Sequence, residues 1–256
     1  MSLLQIKDLK LSFAGVKALD GVSLELNQGE VAAVIGPNGA GKTSLFNCIS
    51  GLYQPQEGEI LFSGKNLRGM APHAIASSGV ARTFQNLALF EHLTVLENLQ
   101  LGRHHLMKTR WWNDIFFTGK PRREETRHRH QVEEVIEFLD LARYRAMPAG
   151  ILSYGVLKKI ELGRALCMEP KLLLLDEPAA GLNQEATEDL ARCILDIKEE
   201  LGITLLLIEH DMRFVMQLAD SITVLDFGKQ ITHGRPEDVQ KHPDVIAAYT
   251  GVGAQS

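Results

Sequence analysis

Eight consecutive residues, Gly36-Pro37-Asn38-Gly39-Ala40-Gly41-Lys42-Thr43, carry the plainest chemistry in the chain. Their spacing, G-x-x-x-x-G-K-[ST], is that of a loop that cradles phosphate. The glycines let successive backbone N–H groups turn inward without a Cβ in the way. Lys42 is suited to reach outer phosphates as a point charge, and the Thr43 hydroxyl to ligate Mg²⁺. A second candidate is Asp176-Glu177, two carboxylates at the end of the apolar run Leu172–Leu175. Asp176 suits the cation-side carboxylate that accompanies such a loop, and Glu177 could accept a proton from an attacking water. A helix N-cap followed by a first-turn acid would have the same sequence. Phe13, 23 residues before Gly36, could stack on a base or simply fill a strand face.

These groups need a scaffold. The loop is preceded by the apolar run Val31–Ile35 and followed by the helix-like run Leu45, Phe46, Cys48 and Ile49. That strand–loop–helix setting is the one the motif requires, and the helix dipole adds to phosphate binding. Before it, Leu4, Ile6, Leu9, Leu11 and Phe13, then Val22, Leu24 and Leu26, alternate as a pair of half-buried strands. Residues 59–62 read as a further strand, Pro72 to Ser78 as a short helix, and 79–85 as a strand ending in Gln85. Residues 171–176 and 203–208 hold continuous apolar runs, Leu172–Leu175 and Leu205–Ile208, which suits parallel strands covered on both faces. Helices are expected from Glu124, after Gly155 and over 185–201. A strand pair is expected around Gly228, and two short helices between Pro236 and Tyr249. Strands alternating with helices make this an α/β fold with a mainly parallel sheet.

A length of 256 residues allows one large domain with a subdomain. The net charge of −5 disfavours nucleic acid as the main partner. Cys48, Cys167 and Cys193 are far apart and form no CxxC, so they read as buried thiols of a reducing compartment. No signal-type segment and no run of 18 apolar residues is present, so membrane attachment would have to come through other chains. Residues 101–130 stand apart, with eight Lys or Arg against three acids, both tryptophans, Phe116 and Phe117. Aromatics among basic residues suit a headgroup layer or a partner's groove, or else the small core of an insertion. His128 and His130 point to different helix faces, which argues against a metal pair.

In their order along the chain, the motifs resemble those of the ATP-binding subunit of an ABC transporter, and the resemblance spans essentially the whole chain. It rests on the loop 36–43, Gln85, Leu152-Ser153-Tyr154-Gly155, Leu172–Glu177, Ala180-Gly181-Leu182-Asn183 and His210. It implies a P-loop NTPase core, an N-terminal antiparallel β subdomain and a helical subdomain inserted at approximately 90–155, all within a single domain of residues 1–256. ATP would be held by Gly36, Pro37, Asn38, Gly39, Ala40 and Gly41 with Lys42, Thr43 and Ser44, and Phe13 would stack the adenine. Mg²⁺ would be met by Thr43, Gln85 and Asp176, with Glu177, His210 and Gln85 as the catalytic set. Ser153 and Gly155 would face ATP held by a second subunit. Two departures stand out: Val156 where the signature usually has Gln, and Ala180 with Asn183 where Ser and Asp are usual.

Arg82-Thr83-Phe84-Gln85, Leu93–Asn98, Ile208–Met212 and Val245–Tyr249 resemble the branched-chain amino-acid type of importer. That type implies a second, non-identical ATPase subunit, two integral membrane permease subunits and an external solute-binding protein. This chain would then sit on the cytoplasmic face of the inner (plasma) membrane. Two other readings follow from the same motifs. A soluble ABC ATPase of ribosomes or DNA would usually carry two ATPase units or a long coiled coil, and neither is present. A regulatory subunit that does not hydrolyse ATP would not need Lys42, Asp176, Glu177 and His210.

Overall fold

The computed structural model describes residues 2–84, 87–103 and 120–250. Two sheets form the frame. The first is antiparallel, in the order β2-β1-β4-β5, from β1 (Ser2–Phe13), β2 (Val16–Asn27), β4 (Glu57–Phe62) and β5 (Lys65–Asn66). The second has the order β10-β9-β3-β8-β7-β6, from β3 (Val31–Ile35), β6 (Val80–Arg82), β7 (Leu172–Asp176), β8 (Thr204–Ile208), β9 (Ser221–Asp226) and β10 (Lys229–Gly234). Its strands pair in parallel except for β10, which runs antiparallel to β9. The α/β architecture with a mainly parallel sheet and an N-terminal antiparallel sheet is the one expected from the residue pattern.

The continuous apolar runs have a direct cause. Every residue of β3, β7 and β8 is buried, because both faces of the sheet are covered. Val31, Ala33, Ile35, Leu173, Leu175, Leu205 and Leu207 face one core. Their alternates Ala32, Val34, Leu172, Leu174, Leu206 and Ile208 face another, shared with the first sheet and with α1 (Lys42–Ile49). The period of two along each strand thus sorts one sequence run into two cores.

Helices α3 (Val95–Gly102) and α4 (Lys120–Phe138) lie between β6 and the long helix α5 (Tyr154–Leu166). Val95, Leu99, Val132, Ile136 and Leu139 join the first of the two cores. Thr94 and Glu97 close a reciprocal capping box at the start of α3. α4 begins four residues before the expected Glu124, since its first turns carry no apolar periodicity to reveal them; Pro121 is tolerated at a helix start. The chain continues through α6 (Gln184–Glu199), α7 (Met212–Leu218), α8 (Pro236–Gln240) and α9 (Pro243–Thr250), and α2 (Pro72–Ser77) precedes β6. Most of the basic aromatic stretch falls outside the described residues. Within them, His128 accepts from Arg103 Nε at 2.8 Å, and His130 pairs with Glu134 at 3.2 Å. Among the described residues no helix is long and apolar enough to cross a membrane. The three cysteines are buried and free, and burial pushes the Cys48 and Cys167 thiols up to about 12.

Candidate nucleotide site

The parallel strands bring their C-terminal ends together, the place where open α/β sheets bind ligands. β3 delivers the loop 36–41, β7 delivers Asp176 and Glu177, and β8 delivers Glu209 and His210. Two glycines in the loop are steric necessities. At Gly36 (φ +149°) a Cβ would lie 2.0 Å from the Leu225 carbonyl oxygen, and at Gly41 (φ +102°) 2.5 Å from that of Ala18. Gly41 is also the N-cap of α1, with no side chain closing the helix start. The first N–H groups of the helix are left for an anion. Asn38, Gly39 and Thr43 are exposed at this mouth and Ser44 is half-buried.

Lys42 is buried beneath the loop. Its ammonium donates to the Gly36 and Pro37 carbonyl oxygens at 2.7 and 2.9 Å. Burial lowers its pKa, and the charges of Glu177 and Asp176 partly restore it. The loop lysine and the strand-end carboxylates therefore form one electrostatic unit. Glu177 has φ +48°, a conformation uncommon for a residue with a Cβ. Its N–H donates to the Ile208 carbonyl at 2.9 Å, and its carbonyl accepts from Ala180 N at 3.2 Å. The chain turns sharply here rather than running on as a helix cap, so the alternative reading of Asp176-Glu177 fails: the next helix starts only at Gln184.

Spacing arguments missed three residues that organise this region. Arg82, at the end of β6, donates from Nη2 to Asp176 Oδ2 at 2.7 Å, with the two side chains only 7% and 6% exposed. Glu209, 1% exposed, accepts from Ala179 N at 2.8 Å and from His210 N at 3.0 Å. It thereby fixes the turn after Glu177 and the backbone of His210 together, while the His210 side chain stays 61% exposed. The third is Tyr249 on α9, whose hydroxyl is hydrogen-bonded by the Gly36 backbone. A charged residue closing an apolar strand was the available signal for Glu209. For Arg82 and Tyr249 the contacts are 94 and 213 positions apart, and no local pattern reports them.

Ser153, Tyr154 and Gly155 lie apart from the loop. Ser153 is the N-cap of α5 but makes no side-chain cap bond. These three residues line a cavity of about 600 Å³ with Gly181, Leu182 and Asn183. A Cβ at Gly155 would lie 3.1 Å from the Ala186 Cβ, and one at Gly181 3.2 Å from the Tyr154 ring. The two short segments are thus in close packing. Val156 is half-buried against the core, and Asn183 caps α6 by accepting from Ala186 N at 2.9 Å. Phe13 is 45% exposed and meets Tyr53 edge-on at 5.0 Å. Gln85 is outside the described residues, although Phe84 before it donates from its N–H to Glu161 Oε1 on α5 at 3.1 Å. Burial raises the Glu161 pKa, against the pull of Lys158.

The donor set suits a magnesium ion. Thr43 offers a hydroxyl and Asp176 a carboxylate with Oδ1 left over from the Arg82 bond, both hard oxygens. Among the described residues no cluster of three or more His, Cys, Asp or Glu forms a complete protein cage.

Fold and site together define a P-loop nucleotide-binding cassette. Residues 19–180 match the ABC transporter family, and residues 229–255 match the branched-chain amino acid ATP-binding cassette transporter family. The chain is 41% identical to the high-affinity branched-chain amino acid transport ATP-binding protein BraF of Pseudomonas aeruginosa, over 97% of this chain and 98% of that one. It is 39% identical to LivG of Escherichia coli, of the same description, over the same shares. An ATP-binding cassette of an ABC transporter in its ADP conformation superposes with a TM-score of 0.86 at 34% identity, covering 98% of this chain and 99% of that one. A nucleotide-free cassette gives 0.85 at 34% identity, covering 97% and 99%. This chain belongs to the ATP-binding subunit family of ABC transporters, and it is an ATPase of that family.

Proposed function

We propose that this chain is the ATP-hydrolysing subunit that powers import of branched-chain or other hydrophobic amino acids or related small solutes. The observation that carries the reading is the cluster at the sheet's C-terminal edge, where Asp176 and Glu177 both act on the buried Lys42 beneath the loop. Residues 36–44 hold the triphosphate of ATP, and Phe13 takes the adenine. Thr43, Asp176 and Gln85 hold Mg²⁺, which supplies charge neutralisation at the phosphates when bound. Glu177 orients a water and accepts its proton as it attacks the γ-phosphate, and His210 meets that phosphate from the next strand end. Preorganised N–H groups and Lys42 stabilise the charge that develops.

Ser153 and the Gly155 N–H serve the ATP held by a second ABC subunit, a non-identical paralogue, so hydrolysis needs the dimer. The single domain spans residues 1–256, with the segment at approximately 90–155 as its helical insertion. Two integral membrane permease subunits hold the pair at the cytoplasmic face of the inner membrane, and an external solute-binding protein delivers the cargo; nucleic acid has no part. The cargo reading is supported by the branched-chain descriptions of the relatives and the match over residues 229–255.

Glu177→Gln tests the chemistry: ATP binding is retained and turnover falls at least about a hundredfold, as expected when a positioned base is removed. Turnover near wild type sinks the assigned role. Leucine, isoleucine and valine uptake by cells lacking this chain tests the cargo, and undiminished uptake of all three removes it.

A further inference from the structure

Arg82 is bound on every side by elements that meet at the nucleotide site. Nη2 grips Asp176 Oδ2 at 2.7 Å, and Nη1 donates to Asn47 Oδ1 at 2.7 Å and Ser50 Oγ at 3.1 Å, both at the end of α1. The guanidinium also stands over the Phe46 ring at 5.5 Å and the Phe84 ring at 5.3 Å. A planar fork stacked on aromatics is what arginine does and lysine does not. Nε is buried with no partner among the described residues. The strong bonds of this side chain therefore go to fixing one carboxylate and the helix that begins with Lys42 and Thr43.

We propose that Arg82 is a positioning residue of the ATPase reaction. It pins Asp176 by one oxygen, so that the other is aimed at the divalent cation, and it sets its own positive charge against that cation. The chain thereby gives up cation affinity in return for a carboxylate held in a single direction. The inference rests on the reading that Asp176 stands on the cation's side of the site. Its electrostatic half follows from burial: at side-chain exposures of 7% and 6% the pair is little screened by water, so the positive charge is felt by a neighbouring cation. Its geometric half follows from the separate anchors, which leave the carboxylate no freedom to follow the ion.

The test uses the full-length chain and a fluorescent ADP analogue, with affinity measured in Mg²⁺ and again in EDTA. The ratio of the two affinities reports cation binding without any turnover, and ATPase rates are measured alongside. In R82Q the magnesium enhancement rises at least about threefold, because an opposing charge is gone. Its kcat falls at least about tenfold, because Asp176 is no longer aimed. In R82K the charge remains without the fork, so the enhancement stays within about twofold of wild type while kcat stays low. D176N abolishes the enhancement.

An unchanged or smaller enhancement in R82Q, with D176N behaving as stated, overturns the role of Arg82 and leaves that of Asp176 standing. Enhancement retained in D176N removes both. Should R82Q fail to bind the analogue in EDTA, R82K alone decides, and a wild-type kcat in R82K overturns the proposal. A merely structural arginine would lower affinity, enhancement and kcat together.

Discussion

The phosphate loop and the Ser153–Gly155 segment each present N–H groups at the start of a helix, but they are finished to different degrees. At the loop nearly every charge is already answered within the chain. Lys42 is bonded to loop carbonyls, Asp176 to Arg82, and the sharp turn at Glu177 is tied back to β8. At the other segment Ser153 makes no side-chain cap bond, and the cavity beside it is bounded by residues within 140–144, by Gly181–Asn183 and by the first turns of α6. No residue lining that cavity belongs to the loop. A site whose ionic partners are built in can be preorganised before ligand arrives. Backbone donors at a helix start and a Ser153 hydroxyl without a cap bond, open to such a cavity, need another surface to complete a phosphate site. One chain therefore carries one finished half-site and one open surface, and under the proposed function these would serve two different ATP molecules.

Substituting Gly155 strikes that division hardest. A Cβ there would meet the Ala186 Cβ at 3.1 Å, so Gly155→Ala must shift the start of α5 against α6 by a few tenths of an ångström. We expect ATPase turnover to fall about threefold to tenfold, since even a small misplacement of a catalytic surface lowers the rate. Binding of a fluorescent nucleotide to the isolated chain should stay within about twofold of wild type, because no residue of the loop lines the cavity beside the altered helix start. Weakened binding by the monomer would show that the two regions are one unit and erase the comparison.

Val156→Gln sharpens it more gently. The side chain sits half-buried against the core, one residue beyond the N–H that would face the partner's phosphate. Restoring a side-chain hydrogen bond is worth about 0.5–1.5 kcal/mol, so turnover should change by less than about tenfold in either direction. Steady-state ATPase assays on the assembled dimer measure this. A larger gain would mean that Val156 had been holding the second half-site nearly inactive.

The sequence pattern reveals these regions unequally, and the reason is physical. The loop 36–43 is local: its glycines, lysine and hydroxyl act within eight residues, so spacing alone exposes them. The strands β3, β7 and β8 are legible because burial on both faces demands continuous apolar runs. Helix starts without apolar residues are not, and α4 accordingly begins earlier than its periodicity suggests. Arg82, Glu209 and Tyr249 act through contacts made by the folded sheet order β3-β8-β7-β6 and by the return of α9 to the loop. Arg82 reads as one more basic residue near Gln85 until β6 is laid beside β7. Glu177 was legible as a carboxylate but not as a left-handed residue, because only the closing bond to Ile208 imposes that turn.

Tyr249 offers the finest test of how self-sufficient the loop is. Its ring lies on α9, in the segment matching the branched-chain cassette family, and its hydroxyl is bonded by the Gly36 backbone. Ala247, Ala248 and Asp244 of the same helix bound a cavity of about 460 Å³ with Pro37–Ala40 and Phe227. Burial raises the Tyr249 pKa, and the Gly36 bond acts against that shift. The hydroxyl thus stays protonated near neutral pH, able to donate as well as accept. Tyr249→Phe removes the hydroxyl and keeps the ring, so α9 should remain docked and the thermal midpoint should hardly move. The outlay of one hydrogen bond, about 1 kcal/mol, falls instead on how firmly the loop is fixed where it leaves β3. Affinity for ATP should drop about threefold to fivefold with kcat unchanged, and ATP should slow amide exchange in residues 243–249 of the wild type but less in the variant. The second effect is required by the first, because coupling between nucleotide and tail must run in both directions. Unchanged affinity together with ATP-insensitive exchange in α9 would leave the loop complete without the tail.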